Sequence, residues 1–262
     1  TPWLRVFSTA SLFKSKYKQA GYDYEGGGNV GNLVFHAMPW IVPVNPDGTN
    51  VYLLPNSKDK PADGFAAMLR TGNGFTQVNK TEQTYAIGAV LKVMEGLEIT
   101  GKFTYRNYAK EKLARSASFQ YAIRPNEVLT ANGWPFNNRL KDGRDTYENY
   151  VYDLYANFHR TFADVHNVSA VVGTNCETGH YKFVEPSGRD LTSEVLNDLS
   201  LSTGEKSVKS SQNEFALMGY FARLSYDYNG RYLVEANMRY DGTSRFPRNH
   251  RWGFFPSLAL GW

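Results

Sequence analysis

Residues 218–242 read MGYFARLSYDYNGRYLVEANMRYDG. From Met218 onward every even-numbered residue except Gly230 and Gly242 is apolar or aromatic, ending with Val234, Ala236, Met238 and Tyr240. The odd positions include Arg223, Asp227, Arg231, Glu235, Asn237, Arg239 and Asp241. A period of two is the mark of a β-strand with unlike faces. In a soluble sandwich the apolar row is core. In a membrane barrel it meets lipid, and the charges line the interior.

Composition narrows the choice. The chain has 262 residues, of which 42% are hydrophobic, 21% charged and 15% aromatic, with 18 Tyr and 16 Phe. Strands and membrane interfaces both favour such aromatics. A net charge of +4 without a basic block argues against nucleic acid as partner. The single cysteine, Cys176, cannot form an internal disulfide. No apolar run is long enough for a transmembrane helix. A mean hydropathy of -0.48 is compatible with a transmembrane barrel, where only alternate residues meet lipid. The chain opens on TPWLRVF without an initiator Met or signal peptide and stops at LALGW inside a strand pattern, so a piece of a longer protein is expected.

Alternation recurs along the chain. It predicts strands over 1–12, 83–94, 97–108, 148–162, 168–176, 214–228, 231–241 and 252–262. A short helix is expected within GNLVFHAMPWIVPV (31–44), limited by Pro39 and Pro43, followed by a turn at NPDG (45–48). A two-residue Asn229-Gly230 loop would oppose even to odd residues and put the apolar and charged rows on one face. A three-residue loop, Tyr228-Asn229-Gly230 with Gly230 left-handed, avoids this. It pairs Tyr226 with Tyr232, Leu224 with Val234 and Ala222 with Ala236. It also sets Asp227 opposite Arg231 and Arg223 opposite Glu235. The same rule at MEG (94–96) pairs Val93 with Leu97, Leu91 with Ile99 and Lys92 with Glu98.

Connections alternate between short (94–96, 163–167, 228–230) and longer (109–147, 179–213, 242–251), a habit of outer-membrane barrels. Tyr232 to Tyr240 spans about 26 Å of strand. Tilted by about 40°, that covers about 20 Å, near the ~25 Å apolar band of such barrels, with Ala236 at its midplane. The expected fold is an all-β, antiparallel, up-and-down transmembrane β-barrel segment of about eight strands. The loops 13–82, 109–147 and 179–213 are expected on the outer side.

The stretch 231–262, RYLVEANMRYDGTSRFPRNHRWGFFPSLALGW, closely resembles the SusC/RagA family of TonB-dependent outer-membrane transporters. The signature is carried by Tyr240, Asp241, Gly242, Ser244, Arg245, Phe246, Arg251, Trp252, Gly253, Phe255, Pro256, Gly261 and Trp262. Weaker likeness extends to EGLEITGKFTYR (95–106), HNVSAVVG (166–173), MPWIVPVNPDGT (38–49) and PWLRVFS (2–8). The resemblance implies a barrel of about 22 strands with an N-terminal plug. It also implies drive by the TonB complex, an outer-membrane location in a Gram-negative bacterium, and contact with outer-membrane lipid. A SusD-like lipoprotein lid and import of an oligosaccharide (glycan) or peptide substrate complete the picture. Residues 1–262 would then be a partial barrel domain, with plug, TonB box and final strands absent.

Other constellations are weaker. His36, His159, His166, His180 and His250 lack metal-ligand spacing, so no metal and no cofactor is expected. EGGGNVG (25–31) lacks the Lys-Ser/Thr of a phosphate loop. Asp142 and Asp145 in KDGRDTYEN offer Ca²⁺ ligands, against the plainer reading of a polar turn. Trp40 and Trp134 in outer loops can stack on sugar rings, and Arg245, Arg248 and Arg251 with Phe246 can hold an anion; loop packing is the plainer reading of the tryptophans and an equally simple one of the arginines. No nucleophile–base or paired-carboxylate arrangement supports an enzyme. Two alternatives stay open: a self-contained eight-strand outer-membrane protein and a soluble glycan-binding β-sandwich.

Overall fold

Alternation of unlike residues produces strands nearly throughout. The computed structural model describes residues 2–20, 44–49, 74–122, 125–131 and 138–262. Its strands are β1 (Leu4–Ala20), β2 (Gly74–Met94), β3 (Leu97–Ser116), β4 (Phe119–Ala122), β5 (Val128–Ala131), β6 (Arg139–Phe162), β7 (His166–Gly188), β8 (Lys206–Tyr228), β9 (Tyr232–Thr243) and β10 (Trp252–Gly261). Eight form one sheet in the order β1-β2-β3-β6-β7-β8-β9-β10, every neighbour antiparallel. β4 and β5 pair only with each other, in the connection between β3 and β6. The architecture is an all-β, up-and-down meander. β1 and β10 are its edges, each with one neighbour among the described residues, so the sheet is an open arc and not a closed eight-strand barrel.

The short turns share one end. The His159 amide donates to Gly96 O at 2.7 Å and the Asn229 amide to Val165 O at 2.7 Å, tying adjacent turns side by side. The β8–β9 turn corrects the predicted register. Tyr228 pairs with Tyr232, so the loop is Asn229-Gly230-Arg231, and every pair moves by two residues. Leu224 now faces Ala236, and Ala222 faces Met238. Parity is kept, so the faces stand as expected. The cause is local: Asn229 (φ 53°) and Gly230 (φ 66°) are both left-handed, as an Asn-Gly primed turn requires. The Asp227 carboxylate accepts the Gly230 amide at 2.7 Å and so faces the turn instead of Arg231. Arg223 lies opposite Asn237 and reaches Glu235 only diagonally, at 4.0 Å. A Gly230→Val change forces a β-branched side chain to positive φ. It should cost about 1–2 kcal/mol, read from the urea midpoint of the receptor carrying it.

At the β2–β3 turn Leu91 faces Ile99 and Lys92 faces Glu98 as expected, the ion pair measuring 3.7 Å. A bulge then places Met94, not Val93, opposite Leu97. The NPDG turn is present, with the Gly48 amide donating to Asn45 O at 2.9 Å. Asp47 accepts from the Thr49 hydroxyl at 2.6 Å and the Thr49 amide at 3.0 Å, and its other oxygen accepts the Asn126 amide at 2.7 Å. Those bonds hold its carboxyl below the usual carboxylate range. The tie is therefore intact at neutral pH and released only as pH falls through that lowered value. The helix expected within 31–44 and the loop 25–31 lie outside the described residues, apart from Val44.

The sheet has one apolar face. Paired across all eight strands runs a row of Leu4, Leu91, Ile99, Ala156, Val172, Ala222, Met238 and Pro256. This face is uncovered: Val172 is 60% exposed, Leu154 55% and Leu258 69%. The core of a soluble sandwich would be shielded, and no second layer covers these residues among those described. Aromatics bound the face at both ends. Toward the short turns stand Phe162, Tyr228 and Tyr232; toward the other end stand Tyr85, Tyr105, Tyr150, Tyr220, Tyr240 and Trp252. The second belt is oblique. Ala216 is level with Tyr150, whereas Tyr220 lies four residues nearer the short turns. Tilted, staggered strands produce that slant.

Beyond the belts the strands continue. β3 and β6 stay paired to Ser116–Arg139, and β7 and β8 to Gly188–Lys206, so the loops expected at 109–147 and 179–213 shrink to 117–138 and 189–205. The stretch KDGRDTYEN is strand, not turn. Here both faces are polar, and the two-faced pattern disappears from the sequence while the backbone ladder persists. The buried apolar residues Ala114, Ala117, Leu140 and Leu191 gather at this end. There Arg115, 2% exposed, donates to Asn138 Oδ1 and to Ser193 O at 2.7 Å, fastening loop 189–205 to the sheet.

Candidate functional site: the polar face of the sheet

The opposite parity builds the polar face. Near the short turns, Glu235 accepts from Ser225 Oγ and Asn237 Nδ2, each at 2.9 Å, and Arg223 Nε donates to Asn237 Oδ1 at 2.8 Å. Further along, Asp153 accepts from Asn175, and Arg239 forks onto Asp241 at 2.9 and 3.0 Å. Asn149, 1% exposed, donates to Glu177 at 2.9 Å and to Thr178 O at 3.1 Å. Near the long loops, Asp145 accepts from Lys110 at 2.8 Å and from the Tyr181 hydroxyl at 2.9 Å. Partly exposed pairs of this kind contribute about 1 kcal/mol or less, and their role is to fix side-chain positions.

Three aromatic rings lie flat on this face because glycine stands directly opposite them. Phe7 faces Gly88, Phe221 faces Gly173 and Phe215 faces Gly179. A Cβ on Gly173 would come within 2.6 Å of Phe221 Cζ, and one on Gly179 within 2.6 Å of Phe215 Cζ. Rings covering strand glycines restore packing the glycine lacks. They also keep aromatic bulk against the wall instead of projecting from it.

In the half nearest the long loops, adjacent strands bring Arg106, Asn149, Gly179 and Phe215 into one paired row, and Tyr108, Tyr147 and Tyr181 into the next. Arg245 lies over the Phe215 ring at 4.3 Å. From that level outward this face carries Lys80, Arg106, Lys110, Lys112, Arg139, Lys141, Lys209 and Arg245 against Glu82, Asp145 and Glu185, with Glu177 one row nearer the short turns. Eight cations outnumber four carboxylates, so its field is positive.

No family model matches the chain. Among curated relatives, the TonB-dependent receptor SusC of Bacteroides thetaiotaomicron is 36% identical over 115 residues, covering 44% of this chain and 11% of that protein. The TonB-dependent receptor P3 of Formosa agariphila is 24% identical over 268 aligned positions, covering 99% of this chain and 24% of the relative. The chain belongs to the SusC/RagA type of TonB-dependent receptor. It spans 11% to 24% of the length of these two relatives. A structure of the RagAB peptide transporter shares the fold of this SusC/RagA-type chain, with a TM-score of 0.75 at 16% identity, over 98% of this chain and 28% of the other. A second, of the RagAB peptide importer in an open-open state, gives 0.74 at 18% identity. The sheet is thus a stretch of barrel wall of that architecture.

Of the sequence-predicted contact residues, Trp40 and Trp134 lie outside the described residues. Arg245 and Arg251 are not brought together on one ligand. Arg245 is engaged with Phe215, whereas Arg251 Nε donates to Phe246 O at 3.0 Å and borders a hollow of about 430 Å³ with Phe246, His250 and Trp252. The residues read from the sequence as a signature lie in and around the β9–β10 connection. Tyr240 stacks on Trp252 at 4.8 Å, Gly242 leaves room for the Trp252 ring, and Ser244 makes two 2.8 Å bonds to the Ala216 backbone. Phe255 packs on Gly253, Asp241 holds Arg239, and Pro256 and Gly261 lie in β10, opposite Met238 and Leu233. Trp262 is 96% exposed.

The Ca²⁺ reading of Asp142 and Asp145 fails on geometry: an odd separation in a strand puts them on opposite faces. Among the described residues no group of three His, Cys, Asp or Glu converges on a metal position. Sequence reading missed the Tyr108–Tyr147–Tyr181 row, because Tyr147 and Tyr181 sit in segments taken for loops while Tyr108 ends a predicted strand. Only register brings them side by side.

Proposed function

We propose that residues 1–262 form part of the barrel domain of an outer-membrane transporter importing oligosaccharides or peptides in a Gram-negative bacterium. The uncovered apolar face between two aromatic belts carries this reading. That arrangement suits lipid outside and a watery lumen inside, and no second layer among the described residues shields the apolar row. On β6, Tyr150 to Phe162 is about 40 Å of strand, or about 28 Å of membrane normal at a tilt of about 45°, comparable with the ~25 Å apolar band. On β9 the belts at Tyr232 and Tyr240 leave Ala236 at the centre. The short turns face the periplasm and the extended hairpins the outside. We assign the plug, the TonB box and the closing strands to the remainder of the receptor. Energy coupling to the TonB complex passes through that plug, and a SusD-like lipoprotein closes over the outer loops. We read Trp40, Trp134, Arg245 and Arg251 as the residues that meet substrate first.

Removing TonB, or deleting the plug from the receptor containing this chain, should abolish growth on one complex nutrient and leave growth on simple sugars intact. Unchanged growth on every nutrient supplied overturns the transport reading.

A further inference from the structure

The lumen-facing wall near the outer girdle has two guanidinium groups without an ion pair among the described residues. Arg106, on β3, is exposed, and Arg245, at the far side of β8, is exposed except for its stacking on Phe215. No carboxylate among the described residues lies within ion-pair distance of either. This contrasts with Arg223, Arg239 and Lys110 on the same face, which are all satisfied by neighbouring acids. Two acids on this face, Glu82 and Glu177, approach the pair, but Glu177 is already bound by Asn149 and the surrounding field is positive.

Between the two cations the surface is aromatic. Phe215 lies flat over Gly179, and Tyr108, Tyr147 and Tyr181 occupy adjacent positions on three neighbouring strands. Each tyrosine is half-buried, with part of its surface left open. Paired strands are about 4.8 Å apart, so the shelf from Tyr108 to Tyr181 extends about 10 Å and the distance from β3 to β8 is about 14 Å. Aromatic rings in such a row suit the C–H faces of a sugar. Guanidiniums at the two ends suit carboxylates, which they bind by paired, charge-assisted hydrogen bonds.

We infer that Arg106 and Arg245, with the shelf of Tyr108, Tyr147, Tyr181 and Phe215 between them, form a lumenal subsite for an acidic, carboxylate-bearing oligosaccharide. The inference rests on the transport reading above and adds a substrate class to it. A neutral glycan would stack on the shelf and leave both guanidiniums unmatched. An acidic peptide would match the charges and gain little from the row of rings.

The test uses the intact receptor containing this chain, purified in detergent, and titration calorimetry with three probes of equal length: oligogalacturonate, maltohexaose and hexaglutamate. Oligogalacturonate should bind, with affinity falling at least about tenfold in the Arg106→Gln/Arg245→Gln variant, since both charge-assisted contacts are lost. It should also weaken as salt is raised. Tyr147→Ala should weaken the same probe and Tyr147→Phe should not. Heat-modifiable migration of each variant confirms folding; should the double variant fail to fold, single Arg106→Gln provides the same reading. Equal binding of oligogalacturonate and maltohexaose, preference for hexaglutamate, or an unaffected arginine variant overturns the subsite. TonB-dependent growth that survives such a result leaves the transport reading standing, whereas TonB-independent growth sinks that reading whatever binds.

Discussion

Ala236→Arg should prevent the receptor containing this chain from reaching its compact, heat-modifiable form in lipid, while Asn237→Arg should fold. The two positions are adjacent on β9 and belong to opposite faces. Ala236 pairs with Leu224 and Leu258 on the apolar face, midway between the belts at Tyr232 and Tyr240. A guanidinium at such a position costs about 2–4 kcal/mol, a factor of about 30 to 1,000 in the folding equilibrium. Asn237 pairs with Arg223 and Ser257 on the polar face. An arginine there meets Arg223 across the strand gap, a repulsion of about 0.2–1 kcal/mol, softened by the nearby Glu235. The lipid-side penalty is therefore several times the lumen-side one. The measurement is the folded fraction by gel migration before and after heating, for both variants in vesicles of one lipid composition. Greater damage from Asn237→Arg means that the faces are reversed.

The two unlike faces of the sheet were legible in the sequence because they write themselves as alternation. Wherever one face is apolar and the other polar, as over 218–240, composition reports the face and parity follows. Register is a finer matter. Sequence correctly excluded a two-residue pairing at Asn229-Gly230, yet placed the three-residue loop one position early. The deciding fact is the positive φ of Asn229 as well as Gly230, fixed by a bond from the Gly230 amide to Asp227 that no periodicity reveals. The same limit hid the outer halves of β3, β6, β7 and β8. Stretches such as AKEKLARS (109–116) are polar on both sides, so their backbone ladder leaves no compositional trace. The tyrosine row and the separation of Asp142 from Asp145 follow from those hidden halves. The contacts that Tyr240, Gly242, Ser244 and Trp252 make around the β9–β10 connection also depend on register and were not legible.

Gly173→Val should destabilise the receptor, while Gly101→Val should be neutral or mildly stabilising, although both replace a strand-interior glycine with a good strand former. At Gly173 a Cβ would lie 2.6 Å from Phe221 Cζ and 2.8 Å from Leu154 O. The ring can lift, but the carbonyl belongs to the neighbouring strand β6 and is held by the sheet. Overpacking of this kind costs about 1–3 kcal/mol. Lifting Phe221 also disturbs its contact with Arg239, whose guanidinium lies 5.9 Å from the ring, and through it the fork onto Asp241. At Gly101, on the apolar face, the nearest atom to a new Cβ is Leu154 Cδ1 at 3.9 Å, an ordinary contact. There valine restores the packing and conformational restriction that glycine lacks in a strand. Urea titration of both variants in vesicles, followed by the midpoint of heat-modifiable migration, should show Gly173→Val shifted to lower denaturant and Gly101→Val unshifted or raised. Equal shifts would mean that the Phe221 ring does not rest on Gly173, and that aromatic rings on the lumen wall project from it instead of lying flat.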